Sequence, residues 1–173
     1  MGTRHLISVI NTKGETKIAQ YGQWDGYLSG QGISILRFLK EKDLNKFDEC
    51  LNKCRFWDSK GRDKDFIESY DKNAPVWFND PDNRTEEQKR WFNTYVSRGL
   101  GSEILNNVFE NAENEKEILL QDNSDFIKDT LFCEYAYTID LQKRELRIDT
   151  MDIAISFDEL PTEEDFIKLD EEE

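Results

Sequence analysis

Apolar residues first gather in a short, nearly continuous run from Leu6 to Ile10, with Leu6 and Ile10 on one face and Ile7 and Val9 on the other. A run apolar on both faces predicts a central strand covered on both sides. Lys17 to Tyr21 predicts a second strand, and Asn11-Thr12-Lys13-Gly14-Glu15 between them suits a tight hairpin turn centred on Lys13-Gly14. With that centre, residues whose numbers sum to about 27 face each other across the hairpin. His5 then lies beside Gly22, Arg4 beside Gln23 and Thr3 beside Trp24.

Helical spacing takes over at Ile33, Leu36 and Leu39, with Ser29 as the expected N-cap. Asp43 is expected to cap a second helix whose buried stripe is Leu44, Phe47, Leu51 and Cys54. From Arg55 to Asp82 the pattern weakens into irregular connection with a short helix at 66–70. Thr85 to Gln88 is a capping box followed by the amphipathic face Trp91, Phe92, Tyr95 and Val96. Gly99 and Gly101 end that helix, and Ser102 restarts one carrying Ile104, Leu105, Val108 and Phe109.

The β signal returns late. Glu117 to Leu120 reads as a brief strand, and Cys133, Tyr135, Tyr137, Ile139 and Leu141 alternate with Glu134, Ala136, Thr138 and Asp140. A turn at Gln142-Lys143 leads to Leu146 and Ile148, and Met151, Ile153, Ile155 and Phe157 alternate once more. Leu160 to Glu164 opens a terminal helix on which Phe166, Ile167 and Leu169 pack back. The order predicts an α+β domain over residues 1–161: a mostly antiparallel sheet from an N-terminal hairpin and a C-terminal meander, with helices between them packed on it. Residues 162–173 form an acidic C-terminal helix or tail, expected to be a frayed, solubilising end.

Composition narrows the function. The chain has 173 residues, 37% hydrophobic and 12% aromatic, so rings supply much of the core. Its net charge is −14, of which −8 falls between Asp158 and Glu173. Direct binding to nucleic acid or to an anionic membrane would face a repulsive field, although the same charge permits nucleic-acid mimicry toward a basic protein. Cys50, Cys54 and Cys133 include no Cys-x-x-Cys pair and His5 is the sole histidine, so no metal site is expected. The cysteines read as core residues of a reducing compartment. No apolar stretch approaches the roughly 20 residues of a membrane span, the strand-like run at Leu6 leaves no room for a signal peptide, and Leu6 also breaks a myristoylation motif. A cytoplasmic protein without a cofactor is the expectation.

Candidate chemistry concentrates between Tyr21 and Gly32, where four glycines are interleaved with Tyr21, Trp24, Asp25 and Tyr27. Such glycines imply sharp turns, positive φ or close approach, and the large rings argue against a flexible linker. The hairpin register brings Arg4, His5, Gln23, Trp24, Asp25 and Tyr27 into one neighbourhood: a cation, a titratable ring, an amide, a carboxylate and two aromatic surfaces. Such a set can hold a nucleotide-like ligand, with the rings on the base and Arg4 on a phosphate. The alternative is structural: an Arg4–Asp25 ion pair fixing the loop, with Trp24 and Tyr27 as core. Glycines before a helix also suggest a phosphate cradle, but Walker and dinucleotide fingerprints are absent. Hydrolase chemistry from Thr3, His5 and Asp25 is a further alternative, weakened because trimming would expose Gly2, which carries no nucleophile. Phe56, Trp57, Trp77, Phe78, Trp91 and Phe92 offer ring surface either to the core or to a partner.

Met1-Gly2-Thr3-Arg4-His5-Leu6 together with Tyr21-Gly22-Gln23-Trp24-Asp25-Gly26-Tyr27 resembles a family of uncharacterised proteins seen in bacteriophages, bacteria and fungi. Phe132 to Leu141 and Phe157-Asp158-Glu159-Leu160-Pro161 are also similar to it, whereas residues 41 to 115 are not covered. Leu28 stands where that pattern usually has proline. The resemblance implies a phage or prophage origin and no transferable activity. The expected function is a non-enzymatic binding protein that engages a host protein or sequesters a small anionic ligand at the N-terminal loop, with countering host defence as one purpose; the rival is the hydrolase using Thr3, His5 and Asp25.

Overall fold

The opening hairpin forms in the register that its turn dictates. In a computed structural model, describing residues 2–58, 60–65, 68, 81–83, 85, 86, 99–114 and 117–171, β1 (His5–Ile10) pairs antiparallel with β2 (Thr16–Gly22). His5 faces Gly22, Leu6 faces Tyr21 and Val9 faces Ile18, with a register shift at Val9/Ile10. Asn11 closes the turn: its Oδ1 accepts from the N–H groups of Lys13 and Glu15, and Gly14 takes the left-handed φ of 81°.

Helix α1 (Ile33–Glu41) follows a π-type turn at Leu28–Gly32, so Ser29 lies inside that turn and is not the N-cap. Asp43 does cap α2 (Leu44–Leu51), accepting from the N–H groups of Asn45 and Lys46. Cys54 leaves the helical stripe and begins β3 (Cys54–Phe56), which pairs in parallel with β4 (Ile118–Leu120). Pairing of β3 with a strand more than 60 residues distant is invisible to local periodicity. Helix α3 (Glu103–Asn111) buries Ile104, Leu105 and Val108 as expected, without a side-chain cap from Ser102. The short helix expected at 66–70 and the helix expected after Thr85 lie mostly outside the described residues.

Strands β5 (Tyr135–Asp140), β6 (Glu145–Ile148) and β7 (Ile153–Ser156) form the meander. The fold is α+β, with a mostly antiparallel five-stranded sheet ordered β2-β1-β5-β6-β7. Its one parallel junction, β1 with β5, joins hairpin to meander and sets His5 opposite Tyr135 and Ile7 opposite Tyr137. Ile7, Val9, Ile18, Tyr137, Ile139, Leu146 and Ile148 build the core beneath the helices. On the opposite face Leu6, Cys133 and Ala136 pack with Phe126. β1 is therefore an interior strand covered on both sides, as its two apolar faces require.

Helix α4 (Glu163–Lys168) is the terminal helix that the sequence predicts, packed back through Phe166 where a frayed end is also expected. Thr162 caps it, Phe166 is fully buried, and Arg37 of α1 forms a two-pronged pair with Glu163. Among the described residues no helix is long and apolar enough to cross a membrane.

Candidate functional site

The hairpin register does bring the N-terminus onto the glycine-aromatic bend. The Thr3 carbonyl accepts from the Gly26 N–H at 3.0 Å. The His5 ring lies flush against Gly22, where a Cβ would come within 2.1 Å of the imidazole, and Gly26 leaves room for the Thr3 carbonyl and the His5 Cβ. Neither glycine has a positive φ, so both are needed for close approach. The left-handed residue of the bend is Asp25, at φ 56°.

His5 is completely buried, and both its ring nitrogens lack hydrogen-bond partners. Burial therefore lowers its pKa from 6.5 to about 4, against weaker upward pulls from the nearby Thr3 backbone and the Asp25 charge. No base–orienter pair forms between His5 and Asp25, and Thr3 is itself buried. The Cys133 thiol, pushed up to about 11 mainly by burial, is no ready nucleophile.

The helix entrance is self-satisfied. Gly30 and Gly32 N–H groups donate to the Tyr27 carbonyl, Gln31 N–H to the Asp25 carbonyl, and Ile33 N–H to Gly30 and Leu28. Four consecutive donors that a phosphate cradle would present are thus engaged. Gln31 then ties the bend to α3, its Oε1 accepting from the Ser102 N–H at 2.7 Å.

Arg4 and Asp25 form no ion pair. The Arg4 guanidinium stacks over the Phe132 ring at 4.5 Å, and the Arg4 N–H donates to Glu134. Gln23 receives the Tyr21 hydroxyl on its amide oxygen. Trp24 and Tyr27 are 55% and 49% exposed, which excludes them from the core and corrects that alternative. Of the six residues singled out by sequence, Tyr27 alone lines a described cavity; His5 is sealed beneath the bend, and Trp24 stands outside on Gly2.

A different constellation surrounds Tyr27. Three tyrosines run in a row: Tyr27 meets Tyr135 edge-on at 6.0 Å, and Tyr135 lies parallel to Tyr137 at 6.2 Å. Tyr137, fully buried, donates to the Gly26 carbonyl at 2.6 Å. Tyr135 donates to Asp170 Oδ1 at 2.9 Å, so burial and then this carboxylate raise its pKa. Thr3, Tyr27, Glu134, Tyr135, Thr150, Met151 and Asp170 line an open cavity of about 380 Å³. A neighbouring cavity of about 430 Å³ shares Glu134 and Thr150 and is walled by Ile127, Thr130, Leu131, Cys133 and Asp149.

The exposed large apolar side chains of the described residues are Trp24, Tyr27, Ile127, Leu131 (77% exposed) and Phe132; Tyr27 lines the first cavity, Ile127 and Leu131 the second, and Trp24 and Phe132 stand outside both. They reach one end of the sheet from two distant segments, 24–27 and 127–132. Sequence reasoning missed Ile127, Leu131, Glu134, Tyr135 and Asp170. The only local signal was Leu131-Phe132, an apolar pair ahead of the alternating strand; Asp170 was hidden within the acidic end. Phe56 packs partly buried on the core, while Trp77, Phe78, Trp91 and Phe92 lie outside the described residues. Among the described residues no group of three or more His, Cys, Asp or Glu is placed to hold a metal ion.

Comparison of the chain with protein-family models, with curated proteins and with solved structures yields no match.

Proposed function

We propose that the chain is a non-enzymatic binding protein, phage- or prophage-encoded and acting in the host cytoplasm, that docks a basic surface of a host protein onto the aromatic, acidic end of its sheet. The observation that carries this reading is the convergence of Trp24, Tyr27, Ile127, Leu131 and Phe132 on one end, beside Glu134, Asp149 and Asp170. Exposed aromatic and aliphatic residues gathered in one patch mark interaction surfaces, and aromatic anchors dominate their energetics. The surrounding carboxylates and the net charge of −14 select a cationic partner.

A nucleotide-like anion fits less well. Carboxylates line the cavity beside Tyr27, the helix-entrance donors are engaged, and Arg4 is committed to Phe132. A hydrolase built on Thr3, His5 and Asp25 would need access to a ring that the bend seals off.

The test is site-specific photo-crosslinking in bacterial lysate with the photoreactive residue at position 24, 131 or 13, the last at the far end of the hairpin. Expected is one host protein captured at 24 and 131 but not at 13, whose reconstituted complex weakens steeply as salt rises. Equal capture at 13, or a salt-insensitive complex, would overturn the reading.

A further inference from the structure

Resting on that docking reading, we infer that the cavity between Tyr27, Tyr135, Glu134 and Asp170 is the seat for one lysine side chain of the partner. Its walls combine two tyrosine rings inclined at 64° with two carboxylates, and its lining contains no lysine or arginine. Aromatic faces attract a cation through their quadrupole, and carboxylates in the same recess neutralise it. An anion entering would meet uncompensated negative charge, and an apolar group would leave the carboxylates' hydration unreplaced.

The free oxygens choose ammonium over guanidinium. Asp170 Oδ1 already accepts from the Tyr135 hydroxyl, and Glu134 Oε2 from the Arg4 N–H. Each carboxylate keeps one oxygen without a protein donor among the described residues. A guanidinium fork is best matched by both oxygens of one carboxylate. A compact ammonium with three rotatable donors instead reaches one oxygen on each, with the Thr3 and Thr150 hydroxyls nearby.

The adjoining cavity defines the context of that lysine. It shares Glu134 and Thr150 with the first and is flanked by Ile127 and the exposed Leu131. Its own carboxylate, Asp149, is already compensated, accepting from Arg147 Nε and the Thr138 hydroxyl. An apolar side chain adjacent to the lysine would therefore sit there without stranding a charge. The recognised element is a lysine beside a leucine-sized residue on the surface of a protein.

The probe is the peptide acetyl-Ala-Lys-Leu-Ala-amide, titrated into the full chain while the Tyr27 and Tyr135 ring resonances are followed. Saturable shifts are expected, with affinity falling about three- to tenfold in Tyr27→Ala, Asp170→Asn and Glu134→Gln, each checked for native circular dichroism. Norleucine in place of lysine should abolish binding, arginine should weaken it, and free n-butylammonium should bind more weakly than the peptide. Norleucine binding as tightly as lysine, or unchanged affinity in both Asp170→Asn and Glu134→Gln, would overturn the lysine seat. If that happens while position-specific, salt-sensitive capture at 24 and 131 persists, the docking surface stands without it; loss of both removes the reading itself.

Discussion

The two sides of the glycine-aromatic bend use the same residue types for opposite ends. On the inner side, Tyr137 is fully buried with its hydroxyl on the Gly26 carbonyl, and His5 is pressed against Gly22. On the outer side, Trp24 and Tyr27 keep half their surface in water. The inner side is specified by contacts that a single methyl group would disrupt; the outer side has freedom to accept a partner. A tyrosine's role here follows from whether its ring is enclosed, with Tyr135 between the two regimes: partly buried, stacked beside Tyr137 and lining the open cavity next to Tyr27.

Breaking the inner side should cost most. Gly22→Ala drives a Cβ to 2.1 Å from the imidazole of His5, and a loss of about 3 kcal/mol or more is expected in urea unfolding. Wild-type stability in that variant would mean the ring is not seated on Gly22. Acidification attacks the same place through charge. The unfolded chain protonates His5 near pH 6.5 but the fold resists until about pH 4, so the unfolded state binds more protons in between. This contribution, about 3 kcal/mol for the full shift, is complete above pH 6.5 and is lost as pH falls toward 4. NMR of the sole imidazole checks it: titration near pH 6.5 would show an exposed ring.

Smaller effects sharpen the contrast. Tyr137→Phe leaves the Gly26 carbonyl without its donor in a buried site and should cost about 1–2 kcal/mol by thermal unfolding. Trp24→Ala, on the outer side, should change stability by no more than about 0.5 kcal/mol while reducing capture of the protein partner at least severalfold. Unfolding on loss of Trp24 would return it to the core; unaltered capture would remove it from the docking surface.

Much of the bend was legible because hairpin pairing is local. Asn11-Thr12-Lys13-Gly14-Glu15 set the turn, and from it follows His5 against Gly22; Thr3, expected beside Trp24, instead accepts from the Gly26 N–H because the bend folds back over it. The roles of the residues were less legible. Arg4 lies over Phe132 rather than beside Asp25, and Leu28-Ser29 enters a π-type turn where a capped helix was expected, because both outcomes depend on neighbours more than 100 residues away or on tertiary packing. The acidic end is legible as a helix packing back through Phe166, whereas the bond from Tyr135 to Asp170 joins residues 35 apart and has no local signature.

The sequence by itself determined the strands of the five-stranded sheet, the first hairpin's register, the amphipathic stripes of α1 to α3 apart from Cys54, and the sign of the field that partners meet, since alternation, helical spacing and charge are properties of neighbouring residues. Only the tertiary structure decided that β1 lies parallel to β5, and hence that Tyr27 meets Tyr135 above Asp170 with Leu131 nearby. Pairing across some 130 residues is selected by the fit of whole faces, a sum over many contacts that no local pattern contains.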